Sequence, residues 1–202
     1  MTEASRKTRV AILISGSGTN MEALLEDMTD PAHPGEPALV LSNRDDAGGL
    51  AKAEARGVPA AVVPHQGRPR AAFEAALAAE LARARAEIIC LAGFMRILTP
   101  GFVQRRAGRI LNIHPSLLPL FPGLDTHAQA LAAGVAIHGC TVHEVTPQLD
   151  AGPILGQAAL PVLPEDTPET LAARLLPLEH RLYPQVLRAR LSGRSDRIAL
   201  LS

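Results

Sequence analysis

The chain has no tryptophan, one tyrosine and four phenylalanines in 202 residues, although 47% of its side chains are apolar. Its core must therefore be packed from alanine, leucine, valine and isoleucine, and a ligand cannot rely on aromatic stacking. Net charge is also missing, because 20 Lys and Arg balance 20 Asp and Glu. Without a broad basic face, neither nucleic acid nor an anionic membrane is expected as a partner. The expected partners are small molecules, bound by a monomer or a homodimer. Long apolar runs are absent too: the stretch around Ile88 to Met95 is far too short to span a bilayer, and Met1 to Thr8 is polar, unlike a signal sequence. The expectation is a cytoplasmic protein with a flexible tail over residues 1–8 and a single domain over 9–202. Cys90 and Cys140 lie inside apolar, strand-like runs, where reduced buried thiols are expected rather than a disulfide.

What is present is an alternation of apolar runs and helical patterns. Arg9 to Ile14 reads as a strand, followed by Ser-Gly-Ser-Gly-Thr-Asn, after which Met21, Leu24, Leu25 and Met28 recur at helical spacing. Ala38 to Ser42 predicts a second strand, Ala47 to Arg56 a helix closed by Gly57, and Ala60 to Val63 a third strand. Arg70 to Arg85 is rich in helix formers, and Glu87 to Ala92 is a fourth, apolar strand. Crossovers at this spacing imply an α/β fold with an open, mostly parallel twisted sheet and helices on both faces. The second half departs from that rhythm. Ile110 to His114 predicts a strand stopped by Pro115, and Asp125 or Thr126 is placed to cap a short helix ending at Gly134. Cys140 to Val145 is a strand, residues 146–152 a turn, and Pro153 to Leu160 an antiparallel return. Thr167 and Pro168 start a long C-terminal helix that Pro177 and Pro184 should kink or divide.

Gly16-Ser17-Gly18-Thr19-Asn20 directly follows the first strand, so its backbone N–H groups and a helix N-terminus face outward together. Such a turn favours an anion, most often a phosphate. A dinucleotide fingerprint is the alternative, but Met21 stands where its third glycine belongs, and Ser42-Asn43-Arg44 ends the second strand with no acid for a ribose. Arg44 leaves room for a phosphorylated dinucleotide, and a tight turn without a ligand remains open.

Leu111-Asn112-Ile113-His114 alternates with period two, which aims Asn112 and His114 from one face at the carboxyl end of a strand. An amide N–H and an imidazolium N–H converging on one point suit an oxygen that gains negative charge as a carbonyl becomes tetrahedral. If Asp150 approaches His114, its charge orients the ring and favours the protonated form. That is a site for acyl transfer without a covalent enzyme intermediate. The alternative is that these side chains tie down loop backbone, with Asp150 in an Asx-turn. His138, Cys140 and His143 are close in sequence, but alternation puts His143 on the opposite face, so no metal is expected. Ser17 lacks the G-x-S-x-G elbow of a nucleophile.

Taken together, LISGSGTN (13–20), LAGFMRIL (91–98), LNIHPSLLP (111–119), PGLDTHAQAL (122–131), the HG and TVHEVT segments of 138–146, and LDAGPI (149–154) resemble the folate-dependent phosphoribosylglycinamide formyltransferase family. The resemblance spans about Arg9 to Leu191. It implies that Gly18, Thr19 and Asn20 hold the phosphate of a ribonucleotide substrate, and that Glu179 also binds that substrate. It implies a folate site from Arg70, from Met95, Arg96, Ile97 and Leu98, from Asn112, and from Thr146, Pro147, Gln148, Leu149 and Asp150. Asn112, His114 and Asp150 would be the catalytic trio, with 10-formyltetrahydrofolate as co-substrate and no metal. Relatives that formylate a tRNA or hydrolyse the folate carry an extra C-terminal or N-terminal domain. A first strand at Arg9 and an end at Ser202 set the expectation of the glycinamide enzyme. Leu176 replaces a polar side chain of relatives near the phosphate, which shifts that duty to the Gly-rich turn. Pro177 is a further departure.

Overall fold

A computed structural model describes residues 6–202; within the expected tail, residues 1–5 lie outside the described residues. One eight-stranded sheet organises the chain: β1 (Thr8–Ile14), β2 (Gly35–Ser42), β3 (Ala60–Val62), β4 (Ile88–Leu91), β5 (Ile110–His114), β6 (Ile137–Glu144), β7 (Ile154–Pro161) and β8 (Ile198–Leu201), in spatial order β3-β2-β1-β4-β5-β6-β7-β8. The first five are mutually parallel, β6 is antiparallel to both β5 and β7, and β8 runs parallel to β7. The order reverses between β1 and β4, and in open α/β sheets a crevice opens at the carboxyl ends of the strands there.

Alternation along β1 shows how the sheet is covered. Val10, Ile12 and Ile14 face a core shared with Met21 and Leu24 of α1 (Thr19–Asp27), Ala53 of α2 (Gly49–Ala55) and the apolar stripe of the long C-terminal helix. Ala11 and Leu13 face the other core, with Phe73, Leu77 and Leu81 of α3 (Arg70–Arg83) and Phe102 and Val103 of α4 (Pro100–Gln104). Helices thus lie on both faces, as the strand–helix alternation implies. The helix α5 (Thr126–Ala132) packs beside α6 (Pro168–Leu191). Cys90 and Cys140 are buried free thiols.

Several local expectations need correction. The C-terminal helix α6 is continuous over 24 residues, with Pro177 and Pro184 inside it, so neither divides it. Each proline removes one i→i−4 bond, but Leu171, Leu175, Leu178, Leu182, Tyr183, Val186 and Leu187 bury a stripe that holds the rod together. Its start is as expected: Thr167 caps it in a reciprocal capping box with Thr170. At α5 neither proposed cap acts: Asp125 occupies the N-cap position without a side-chain bond, and the Thr126 hydroxyl donates instead to the Pro115 carbonyl at 2.6 Å. The helix α4 and the edge strand β8 have no counterpart in the sequence reading, and α2 starts at Gly49 rather than Ala47. Among the described residues no helix is long and apolar enough to cross a membrane.

Candidate active site

The switch point is held by Ser15, immediately after β1. Its hydroxyl donates to Asn43 Oδ1 at 2.5 Å and accepts the Met95 N–H at 2.7 Å, while the Ser15 N–H donates to the Gly93 carbonyl. These bonds tie the carboxyl ends of β1, β2 and β4 into one rim. On one side of that rim is the Gly-rich turn. Gly18 is in the left-handed region at φ 73°, and a Cβ there would stand 3.0 Å from the Gly49 Cα at the start of α2, so only glycine fits. No side chain caps α1, and its first-turn N–H groups have no intrahelical acceptor, which leaves them for an anion. Asn20 follows directly and its amide donates to Glu179 Oε2 of α6 at 2.7 Å. The helix that carries Pro177 therefore presents Glu179 to the turn. Burial raises the Glu179 carboxyl above the usual range, partly offset by the bond from Asn20, whose own Oδ1 is buried without a partner among the described residues. Arg44, the candidate for a dinucleotide phosphate, forms a bidentate pair with Asp46 at 2.6 and 2.8 Å.

On the other side of the rim, Gly93 to Leu98 runs without regular structure from β4 to α4. Met95 and Ile97 are 69% and 63% exposed, and Leu149 in the loop after β6 is 58% exposed. Large apolar side chains left in water beside a crevice indicate a surface for an apolar ligand. Arg70 starts α3, whose Phe73 lies under the Arg96 guanidinium at 6.0 Å. Glu74, also in α3, accepts from the N–H and hydroxyl of Thr99, which in turn caps α4. The segment 95–98 is thus fastened at its far end, where the Leu98 side chain is buried in the core, while Met95 and Ile97 stay exposed. Thr146 closes the opposite loop by donating to the Gln148 carbonyl, and Pro147, Gln148 and Leu149 are exposed.

Between these surfaces lie the three polar residues. Leu111 and Ile113 enter the core, and Asn112 and His114 point away from it at the end of β5, as period two requires. Asp150 sits at φ 50°, a left-handed geometry that Asp tolerates, while Gly152 packs so closely on the Glu144 carbonyl that no Cβ fits. That compact turn carries Asp150 back over the sheet edge. Its Oδ2 accepts from the Gly123 N–H at 2.9 Å and lies 3.6 Å from His114 Nδ1. His114 Nε2 donates to the Phe121 carbonyl at 3.0 Å. Both side chains of the pair are 7% exposed, so their charges act in a poorly screened setting.

The structure adds a fourth member. His143 lies directly across from Asn112 in the β5–β6 ladder, and its Nε2 is 3.2 Å from Asn112 Nδ2 and 3.8 Å from Asp150 Oδ1. Its Nδ1 faces the Glu144 carbonyl at 3.0 Å, which assigns the proton to Nδ1 and leaves Nε2 to accept from the Asn112 amide. Burial depresses its pKa, with the Glu144 carbonyl and Asp150 opposing, so the ring is held toward the neutral form. His143 thereby fixes which end of the Asn112 amide presents N–H. Sequence reasoning set His143 aside as the odd member of a metal group; the useful signal was that it faces away from His138 and Cys140. His138 instead meets His127, at 3.1 Å between ring nitrogens. Among the described residues no three His, Cys, Asp or Glu side chains are arranged to hold a metal.

This geometry agrees with comparison to known proteins. A family model described as formyl transferase matches residues 8–187. The phosphoribosylglycinamide formyltransferase of Escherichia coli is 42% identical over 88% of this chain and 84% of its own length. The trifunctional purine biosynthetic protein adenosine-3 of Gallus gallus is 48% identical over 94% of the chain, which spans only 19% of that protein. Among solved structures, phosphoribosylglycinamide formyltransferase from Brucella melitensis is 53% identical with a TM-score of 0.88, covering 93% of this chain and 97% of that one. Glycinamide ribonucleotide transformylase 1 from Symbiobacterium toebii has a TM-score of 0.90 at 43% identity, over 99% of this chain and 100% of that one. With its sheet order, its site and these matches in agreement, the chain belongs to the formyl transferase family.

Proposed function

We propose that the protein transfers the formyl group of 10-formyltetrahydrofolate to the amino group of glycinamide ribonucleotide, and that residues 9–202 act as one unit in doing so. The observation that carries this reading is that Asn112, His114 and Asp150 gather at the same carboxyl edge of the sheet as an anion-suited turn linked to Glu179 and an exposed apolar rim at Met95, Ile97 and Leu149. The names of relatives matched over most of both chains point to the same substrate.

Each group then has a task. The turn at Gly18, Thr19 and Asn20 takes the phosphate, and Glu179 a polar group of the same substrate. Arg70, the 95–98 segment and the 146–149 loop receive the folate. The attacking amine forms a C–N bond to the formyl carbon, and the Asn112 amide and a ring N–H of His114 donate to the oxygen as it gains charge. As the bond to the folate nitrogen breaks, the carbonyl re-forms on the transferred carbon, that nitrogen takes a proton from His114, and the attacking nitrogen returns one of its own to His114, so charge and protons balance. Asp150 offsets the charge on the imidazolium through this sequence. His114 Nε2 meets the Phe121 carbonyl in the structure, so the substrate oxygen replaces that carbonyl at the donor.

The test is to incubate the purified protein with both substrates and follow products by mass spectrometry. Formylated ribonucleotide appearing in step with tetrahydrofolate is expected. Formate without formylated ribonucleotide would instead establish a hydrolase, and no turnover of either substrate refutes the reading.

A further inference from the structure

A second concavity lies at the opposite, amino-terminal edge of the sheet, where β4 and β5 begin. Its volume is about 260 Å³, and Arg85, Arg105, Arg106 and Arg109 all line it. The floor is apolar, with Leu81 and Ile89 among its atoms. Four arginines lining one cavity are conspicuous in a chain of zero net charge. Arg6, Arg9, Arg44, Lys52, Arg56, Arg83, Arg174, Arg188 and Arg190 form ion pairs elsewhere in the described chain, but none of these four has a carboxylate at ion-pair distance or a side-chain hydrogen bond among the described residues. The one acid in the lining, Glu87, is already engaged by the Arg6 guanidinium and the Arg9 N–H.

The cavity is also partly organised in advance. The Arg106 guanidinium stacks on the Phe102 ring at 3.9 Å to its centroid, which fixes its plane. Arg85 holds a left-handed backbone at φ 49°, a conformation that costs a non-glycine residue energy. Helix ends favour a cation at Arg85 and at Arg105, just past α3 and α4, but that effect fades within a turn and does not gather four charges. Burial and the neighbouring Arg105 and Arg109 depress the Arg106 pKa, a cost that a bound anion would relieve.

We propose that this cavity binds a small multivalent oxyanion of the diphosphate class, free or as the end of a nucleotide, at a site separate from the catalytic edge. Planar guanidinium forks suit phosphate oxygens, and four arginines around one concavity suit more than one phosphoryl group. The confined concavity fits a small anion rather than the extended charge of a nucleic acid. Titrating ¹⁵N-labelled protein with sodium pyrophosphate at low ionic strength tests this, with ADP as a second arm. Saturating shifts are expected at the amides of residues 85–87 and 105–109, and a double variant Arg105→Ala/Arg109→Ala should bind at least about tenfold more weakly there. Shifts at residues 16–20 report the catalytic edge, and their persistence in the variant shows that it is folded. A response to ADP alone identifies the nucleotide form, and an equal response to both identifies the free anion. Shifts confined to residues 16–20, or shifts that never saturate and survive in the variant, overturn the proposal.

Discussion

Replacing Asp150 by asparagine isolates the charge of the proposed catalytic pair, Asp150 and His114, from its shape. At 3.6 Å from His114 Nδ1, with both side chains buried, the carboxylate attracts an imidazolium by about 5 kcal/mol at an effective dielectric of ~20. Asparagine removes that charge and little else. Its carbonyl can still accept the Gly123 N–H, its amide faces the unprotonated His143 Nε2 that the Asn112 amide also meets, and it tolerates the left-handed backbone at φ 50°. The expected outcome is a fall in kcat of about 10² to 10³, the range seen when a donor to a developing oxyanion is lost, with small changes in KM for either substrate. Steady-state rates of formylated product, measured beside the thermal midpoint of each protein, decide the matter. A kcat within about threefold of the parent at an unchanged midpoint would refute the electrostatic role of Asp150.

Three other perturbations probe different links. His143→Ala frees the Asn112 amide to rotate and should lower kcat by roughly tenfold, about the worth of one oriented hydrogen bond; chemical shifts of the Asn112 side-chain amide report the loss of orientation. Gly18→Ala places a Cβ against the Gly49 Cα in a left-handed turn and should cost about 1–2 kcal/mol, read as a lower midpoint in calorimetry together with a raised KM for the ribonucleotide. His138 is pushed down to about 4, first by burial and then by His127, so the folded protein resists protonating it while the unfolded chain does not. Its contribution is complete above about pH 6.5 and is lost as the pH falls toward 4; urea unfolding of His138→Gln should show a shallower decline across that window.

Where sequence was informative, one physical signal dominated locally. The bounds of β5 could be read to the residue because period two and Pro115 agree there. Helix α6 was legible at its start, where Thr167 and Pro168 act through neighbours, but not in its interior, where Pro177 and Pro184 argue for a break that burial of a long stripe overrides. The same Thr-Pro signal stands at Thr99 and Pro100, yet α4 is only five residues long and has no period to reinforce it. Strand β8 is four residues that become a strand by pairing with β7, which no local pattern announces. Within the site, Asn112 and His114 share a face by spacing alone, and placing Asp150 beside them took the family resemblance. His143 needed the β5–β6 register, a property of two strands far apart in sequence.

That register has a consequence for how the site tolerates change. Asn112 meets His143 because two antiparallel strands are aligned to the residue, and the adjoining ladder absorbs an irregularity at that very point, where Val142 pairs with Gly156 but His143 with Ile154. The constellation therefore depends on parity. Adding one residue within β6 exchanges its two faces and sends His143 into the core, whereas adding two restores the face and shifts the partner. Loops at the carboxyl edge of the sheet can lengthen without touching this alignment, whereas an insertion inside either strand cannot.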